Sequence, residues 1–427
     1  MEIENENEKI EMTPAWYDED DETLEINLTS VNRTKKLRET EQEITLSGAE
    51  YEKRLRKQFE KVYRRPIWAY TKAEAQNLGI ERDEQFSFFK ASQDIVNDSF
   101  TTRTLSSNKI DILRVHDANQ EEYSNAVIQN VSFHPNGQVL MTSGFDKTLR
   151  LFQVDGKINK KIQSVHFQDM PIYNANFFPD GQEVIITGRR RFFYIYDLNG
   201  GEITKIQGIK GHDDKSYERC KVSPCNNYIA FLGANGYIIL VSRKTKQWIA
   251  DLKVNKTVKD LDFSKDGKYI YAIGVDGEVY QWDVGSRTCI HRFSDEGAVK
   301  STTICVSRNG EYFATGSNTG VVNIYNNECL TETRPIPQKS ILNLTTSIHN
   351  MKFNSDSQLL AISSHSKKDQ FKLIHLPSMR VFPNWPTSTT PLSYVSSFDF
   401  SPNSGYLAIG NDKGKVLLYR LGSYPRA

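Results

Sequence analysis

An all-β fold is what this sequence predicts: a seven-bladed β-propeller preceded by a mostly extended N-terminal arm with a short amphipathic helix. Three observations predict it. First, a turn signature recurs seven times, as "FHPNG" from Phe133, "FFPDG" from Phe177, "VSPCN" from Val222, "FSKDG" from Phe263, "VSRNG" from Val306, "FNSDS" from Phe353 and "FSPNS" from Phe400. The copies are separated by 44, 45, 41, 43, 47 and 47 residues, the period of a propeller blade. Second, each signature is followed by a short apolar strand, a Gly or Ser, a polar turn and a second strand, as in "VLMTSGFDKTLRLF", "VIITGRRRFFYIY" and "IYAIGVDGEVYQW". Asn-Gly and Asp-Gly supply the positive-φ hairpin turns, and Val, Ile, Tyr and Phe suit strands packed on both faces. Third, the last copy shows only three strands, through "KVLLYRL". Its fourth is assigned to "KIDILRV", Lys109 to Val115, which closes the ring and removes an exposed sheet edge. The propeller is thus expected over residues 108–421, with a short tail at 422–427.

The arm divides by charge. Residues 1–30 hold eleven acidic side chains against one Lys, and residues 31–70 hold eleven basic against six acidic. Blocks of this kind read as solvated tails, so residues 1–46, acidic then basic, are expected to be disordered alone. Trp16 is the exception in the acidic head and is read as an anchor for a partner. Residues 47–107 form a helix-containing arm and linker. From Ser47 to Arg65 the pattern is helical, with Ser47 as cap, Glu50 three residues on and Pro66 as stop. Tyr51, Leu55, Phe59 and Val62 share one stripe, and Lys53, Arg54, Arg56, Lys57, Lys61, Arg64 and Arg65 cover much of the remainder. A narrow stripe with a basic back suits docking between a protein and RNA; a helix packed on its own propeller fits equally.

Composition excludes several classes. The five cysteines are odd in number and lack CxxC or Cys/His ligand spacing, which argues against a disulfide framework or a zinc site and for a reducing compartment. No secretory signal opens the chain, and no apolar run approaches the roughly 18–20 residues that span a bilayer, so a soluble intracellular protein is expected. There is no GxxxxGK[ST] loop, GxSxG elbow, HExxH helix or GxGxxG after a strand. The eight histidines are scattered, and His212 of Gly211-His212 reads as structural. No enzyme, cofactor, metal or small-molecule substrate is expected.

Trp282-Asp283, Tyr196-Asp197 and the blade period resemble the WD40 family, making this a WD40-type propeller. "LFQVD", Leu151 to Asp155, resembles a short motif by which some ribosome-assembly factors recruit the exosome-associated helicase, but here it falls where every other repeat has core strand residues. A closer resemblance runs from Trp16 to Leu421. "AWYDEDD", "TKKLR", "SGAEYEKRLRKQFEKVYRRPIWA", "FHPNGQVLMTSGFDKTLRLFQVDGKIN", "NLTTSI" and "VFPNWPTSTTPL" look like the U3 small nucleolar RNA-associated protein 18 family. That resemblance implies a nucleolar, hence nuclear, scaffold of the small-subunit processome, a ribonucleoprotein of ribosome biogenesis and rRNA processing. The partners it implies are other WD40 propeller proteins of the UTP-B subcomplex, U3 snoRNP and the pre-ribosomal RNA particle, with no membrane. The alternative is a general WD40 adaptor outside ribosome biogenesis, such as a substrate receptor or signalling platform.

Surfaces are therefore where function is sought. Partner contacts are assigned to Trp16, Tyr51, Leu55, Phe59, Trp68 and Trp385, the last in a proline-restricted loop, "VFPNWPTSTTPL", expected to face a partner, the alternative being that Trp385 folds back to plug the rim of the sixth and seventh blades. Arg54, Arg56, Lys57, Arg64, Arg65, Arg189, Arg190 and Arg191 are assigned to RNA or an acidic partner. Turns between second and third strands share a face with the connections between blades, so Arg189, Arg190 and Arg191 should lie with Lys367, Lys368, Lys413 and Lys415 on one basic face.

Overall fold

The computed structural model describes residues 24–28, 34–38, 43–62, 105–212, 214–387 and 390–424. Trp16, Trp68, Arg64 and Arg65 lie outside them. The chain divides into two units, one up to Phe89 and one from Lys90.

The larger unit is seven four-stranded antiparallel sheets. Blade 1 comprises Ile128–Phe133, Val139–Gly144, Thr148–Gln153 and Lys161–His166; blade 2 comprises Asn174–Phe177, Glu183–Thr187, Phe193–Asp197 and Ile203–Ile206. Blades 3 to 6 begin at Cys220, Val258, Ser301 and Asn350. Blade 7 takes Val395–Phe400, Tyr406–Asn411 and Val416–Leu421 from the end of the unit and Ile112–Arg114 from its start. First strands contact those of the neighbouring blades all the way round, so they line the axis and the ring is closed.

The recurring signature builds the turn after each first strand. Its last residue has positive φ in all seven copies: Gly137, Gly181, Gly267 and Gly310 at 65° to 78°, Asn226 at 63°, Ser357 at 59° and Ser404 at 55°. Glycine adopts this conformation without strain, and Asn and Ser stand in where it is absent. The Ser or Asn at the start of the turn accepts the N–H five residues on, at 2.9 Å from Tyr312 to Ser307 Oγ, 3.0 Å from Tyr406 to Ser401 Oγ and 3.0 Å from Leu359 to Asn354 Oδ1. Leu151 and Phe152 are buried in the third strand of blade 1, as core residues.

Closure follows the assigned strand. Ile112 pairs with Leu421 and Arg114 with Tyr419, and the ladder continues through Val115 N to Leu418 O at 3.0 Å and Ala118 N to Val416 O at 2.9 Å. The loop around Trp385 departs from expectation. Its prolines keep it out of the sheets, but Trp385 turns inward: it is 8% exposed and meets Phe371 at 5.6 Å and Tyr419 at 5.0 Å, ring centre to centre. The outer strand of blade 6 is only Arg380–Val381, and Phe382, Trp385 and Leu392 fill the space beside it in one cluster with blade 7. Asn384 fixes the loop by donating to Ile110 O at 2.7 Å. The expected partner anchor is a plug between blades 6 and 7.

In the smaller unit, Glu25–Asn27 pairs antiparallel with Thr45–Ser47, and an α-helix runs from Gly48 to Val62. This strand pair corrects the expectation of a tail disordered through residue 46. Ser47 ends a strand rather than capping the helix, and Gly48 N donates to Leu24 O at 2.8 Å. Leu28, Leu37 and Leu46 form a small core against which Tyr51 packs. Leu55 and Phe59, further along the stripe, are 40% and 62% exposed. No helix among the described residues is long and apolar enough to cross a membrane.

Candidate nucleic-acid interface

One face of the ring is built from the turns joining second to third strands together with the connections between blades. Backbone bonds tie the two sets together: Phe145 N to Val127 O, Tyr217 N to Arg190 O, Val275 N to Thr257 O, Asn318 N to Lys300 O, Asp369 N to Ser393 O and Asp412 N to Tyr394 O. Charge on these turns is unevenly distributed around the ring. Blades 6, 7, 1 and 2 are contiguous, and their turns carry Lys367, Lys368, Lys413, Lys415, Lys147, Arg189, Arg190 and Arg191 against the acids Asp369, Asp412 and Asp146. The turns of blades 3, 4 and 5 carry no cation, and Asp276 is their one charged residue. The turns alone thus form a basic arc over four blades, while the connections beside it add the acids Asp117, Glu121, Glu122 and Asp169.

Local bonding orients the charges. Asp369 accepts from Leu392 N and Ser393 N at 2.8 Å each, and Asp412 from Tyr394 N at 3.2 Å. Those carboxylates face back into the connections, while Lys367, Lys368, Lys413 and Lys415 are exposed. Asp146 accepts from Ser124 Oγ at 2.8 Å and pairs with the buried Arg150 guanidinium. Burial works to raise the Asp146 carboxyl, and the bonds from Thr148, Arg150 and Ser124 together outweigh it, so it titrates below its ordinary value. Glu122 is also lowered, by hydrogen bonds from Lys161 and Arg150.

Aromatic rings lie beside the cations. Arg189 sits 4.7 Å from the centre of the Tyr173 ring and pairs with Glu218 at 3.0 Å. Tyr173 meets Phe145 at 4.9 Å and 62°. Lys415 lies 5.0 Å from the Tyr123 ring and Lys368 5.9 Å from that of Tyr394. Arg190 and Arg191 are exposed and make no side-chain ion pair among the described residues. Exposed cations beside flat apolar rings are the elements that single-strand nucleic-acid binding uses.

The axial channel is different, because its charges answer one another. Lys352 pairs with Asp399 at 2.6 Å, Lys221 lies 3.7 Å from Asp262, and Thr303 Oγ1 donates to Asp260 at 2.6 Å. Side-chain amides and hydroxyls bridge neighbouring first strands, including Asn174 and Asn176 to Cys220 O at 2.9 Å and Thr302 to Ile348 O at 2.6 Å. This belt holds blades together.

The predicted cations of the helix divide. Arg54 is not available to RNA: it forks the Glu43 carboxylate at 2.8 and 3.2 Å and donates to Leu37 O at 2.9 Å, clamping its own unit. Arg56 pairs with Glu52 one turn away, a half-exposed pair of little energetic weight. Lys57 is exposed. Sequence reasoning names the arginines of blade 2 and does not name Phe145, Tyr173, Tyr123 and Tyr394, which the structure places beside the cations of this face. Their signal is weak, an apolar Phe145 at the apex of an otherwise polar turn.

A ring of this construction is a WD40-type propeller, and the WD domain, G-beta repeat family matches residues 113–153, 247–283 and 287–326. Each match starts in or just before an outer strand and ends in or at the third strand of the next blade, the stagger that closure by Ile112–Arg114 requires. The chain belongs to the U3 small nucleolar RNA-associated protein 18 family. It is 42% identical over 419 residues to the homolog of Arabidopsis thaliana, covering 97% of this chain and 77% of that protein. With the Homo sapiens homolog it shares 40% over 432 residues, 99% of this chain and 77% of that protein. With the Saccharomyces cerevisiae protein it shares 33% over 471 residues, 96% and 79% of the two.

Proposed function

We propose that this chain acts in ribosome biogenesis as a non-catalytic scaffold of the nucleolar small-subunit processome, needed for pre-18S ribosomal RNA processing and small-subunit assembly. In that reading it resides in the nucleolus and binds other WD40 propeller proteins of the UTP-B subcomplex together with U3 snoRNP and the pre-ribosomal RNA particle. The observation that carries the proposal is similarity spanning 96% to 99% of the chain with proteins named as U3 small nucleolar RNA-associated. It covers the N-terminal unit as well as the ring, and a general WD40 adaptor would share only the ring.

A scaffold also suits the chemistry of the buried groups. Burial pushes the Cys220 thiol up to about 11 and the Cys305 thiol up to about 12, so both stay protonated and unreactive near neutral pH. Asp295 accepts from Tyr325 Oη at 2.6 Å and Asn323 Nδ2 at 2.8 Å, a network that fastens the top of blade 5. The test is affinity purification of the tagged chain from its own cells under salt wash, with co-purifying RNA and protein identified. U3 RNA, pre-ribosomal RNA and other propeller proteins are expected. Recovery of a signalling or ubiquitin-ligase complex without U3 RNA would overturn the proposal.

A further inference from the structure

We propose that Phe145, Tyr173 and Arg189, at the boundary of blades 1 and 2, form a stacking platform for unpaired bases of single-stranded RNA, with Arg190, Arg191 and Lys147 beside it on the phosphates. The inference rests on the reading of the chain as part of an RNA particle and names the RNA class and the residues. Three observations carry it.

First, nothing in the fold demands Phe145. Val275, Asn318 and Asp412 hold the same turn position in blades 4, 5 and 7 and donate the same backbone bond to the preceding connection. A valine, an asparagine and an aspartate all serve, yet blade 1 places there a phenylalanine that is 36% exposed. Second, the three flat groups are in contact. Arg189 covers Tyr173 at 4.7 Å and Tyr173 meets Phe145 at 4.9 Å, with Glu218 beside Arg189 at 3.0 Å in an exposed ion pair. A base arriving against the open ring of Phe145 finds a surface that loses little freedom on binding. Third, cations flank the array on both sides. Arg190 and Arg191 project from the blade 2 turn, and Lys147 donates to Gln168 O at 2.9 Å on the blade 1 side.

These features together select single strands. A duplex hides its base faces within the stack and presents phosphates, sugar hydroxyls and base edges, so the rings find no face to stack on. An acidic polypeptide meets the cations but has no planar groups for Phe145. Because every base has a stacking face, the platform is sequence-tolerant.

The experiment measures fluorescence anisotropy of the purified full chain with a labelled 12-nucleotide single strand of RNA, a hairpin duplex and poly-glutamate, at several salt concentrations. Single strands are expected to bind best. Phe145→Ala with Tyr173→Ala should weaken them by roughly tenfold, leave the duplex unchanged and keep the salt slope. Arg190→Gln with Arg191→Gln should reduce that slope by about 1 to 1.5, at about 0.7 for each phosphate left without its cation. Phe145→Trp, which keeps a stacking face, should retain affinity and thereby exclude misfolding as the cause. Equal affinity for duplex and single strand, or no loss in the Phe145/Tyr173 variant, overturns the platform; poly-glutamate binding as tightly as RNA overturns it in favour of an acidic protein. Failure here leaves co-purification of U3 RNA by the unaltered chain untouched, so the two readings fail separately.

Discussion

Replacing Trp385 by Ala tests whether the proline-rich loop is a plug or a docking element. The indole is 8% exposed and lies among Phe371, Phe382, Leu392, Phe398 and Tyr419. An aromatic of this size buries about 200 Å², which at about 25 cal/mol per Å² gives roughly 5 kcal/mol before the unfolded chain's own burial is subtracted. Measured Trp or Phe to Ala changes in cores cost about 3–5 kcal/mol, so the two approaches agree. Because the loop has no long strand beside it, the vacated space is bounded by Asn384 and the short Arg380–Val381 strand. The neighbours are not free to collapse into it. At about 2.1 cal/mol/K per residue, a ring of this length loses roughly 5–7 °C in melting temperature. Differential scanning fluorimetry of the purified variant reads this directly, with co-purification of partners measured in parallel. A variant that melts with the parent but releases its partners would refute the packing argument and restore the anchor.

Two further outcomes follow from the ring. Gly414 has φ +74°, and a Cβ there would come 1.9 Å from Ser124 O, so Gly414→Ala should destabilise by more than about 2 kcal/mol. Hydrogen exchange should show the loss first at residues 116–124, because Gly414 O accepts from Asn119 Nδ2 at 2.8 Å and Ser124 N at 3.1 Å. The half-buried His349 faces His365 at 3.4 Å, and burial, aided by the charge of His365, pushes its pKa from 6.5 down to about 4. The native state therefore refuses a proton that the unfolded chain accepts: stability is full above pH 6.5 and falls as pH drops toward 4. Discounted for partial solvent exposure, the loss between pH 6.5 and 5 is about 1 kcal/mol. In denaturant titrations His349→Gln should flatten that decline, and an unchanged pH slope would contradict the assignment.

What the sequence discloses, and what it hides, follows from the range of the interactions. The blade turns are local, set by a Gly, Asn or Ser at positive φ and, in blades 4 to 7, a Ser or Asn five residues before the bonded N–H, so a short window shows them. Closure by Ile112–Arg114 is long-range, yet counting exposes it, because an incomplete last blade needs a strand from somewhere. Trp385 is misread because prolines state that a segment leaves the sheet and say nothing about which way its side chains turn. Arg54 is misread because helical periodicity assigns a face but not the partner, and Glu43 reaches it from the segment just before the Thr45–Ser47 strand. Glu25–Asn27 is three residues of a polar stretch, too short for alternation to register. The Phe145–Tyr173 contact joins a turn of blade 1 to the entry of blade 2, and no periodicity links them.

The same separation of ranges explains how a ring with seven equivalent turns acquires one specialised arc. The φ-restricted turns, the apolar second and third strands and the side chains bridging the first strands hold each blade to its neighbours, and they recur around the circle. The turns on the opposite face contribute a backbone bond to that framework and little else, since Val275, Asn318 and Asp412 all make the bond that Phe145 makes. Substitution at that first turn position costs the fold little, in contrast to the positive-φ glycine that follows it in blades 4, 5 and 7. Blades 6, 7, 1 and 2 have filled those positions with cations and rings, whereas blades 3 to 5 have kept small or acidic residues. Cations of the turns confined to four neighbours leave the turns of blades 3 to 5 outside their field beyond a Debye length of about 10 Å at moderate salt. If RNA is held at the blade 1 and 2 boundary, as proposed above, blades 3 to 5 remain free of that field.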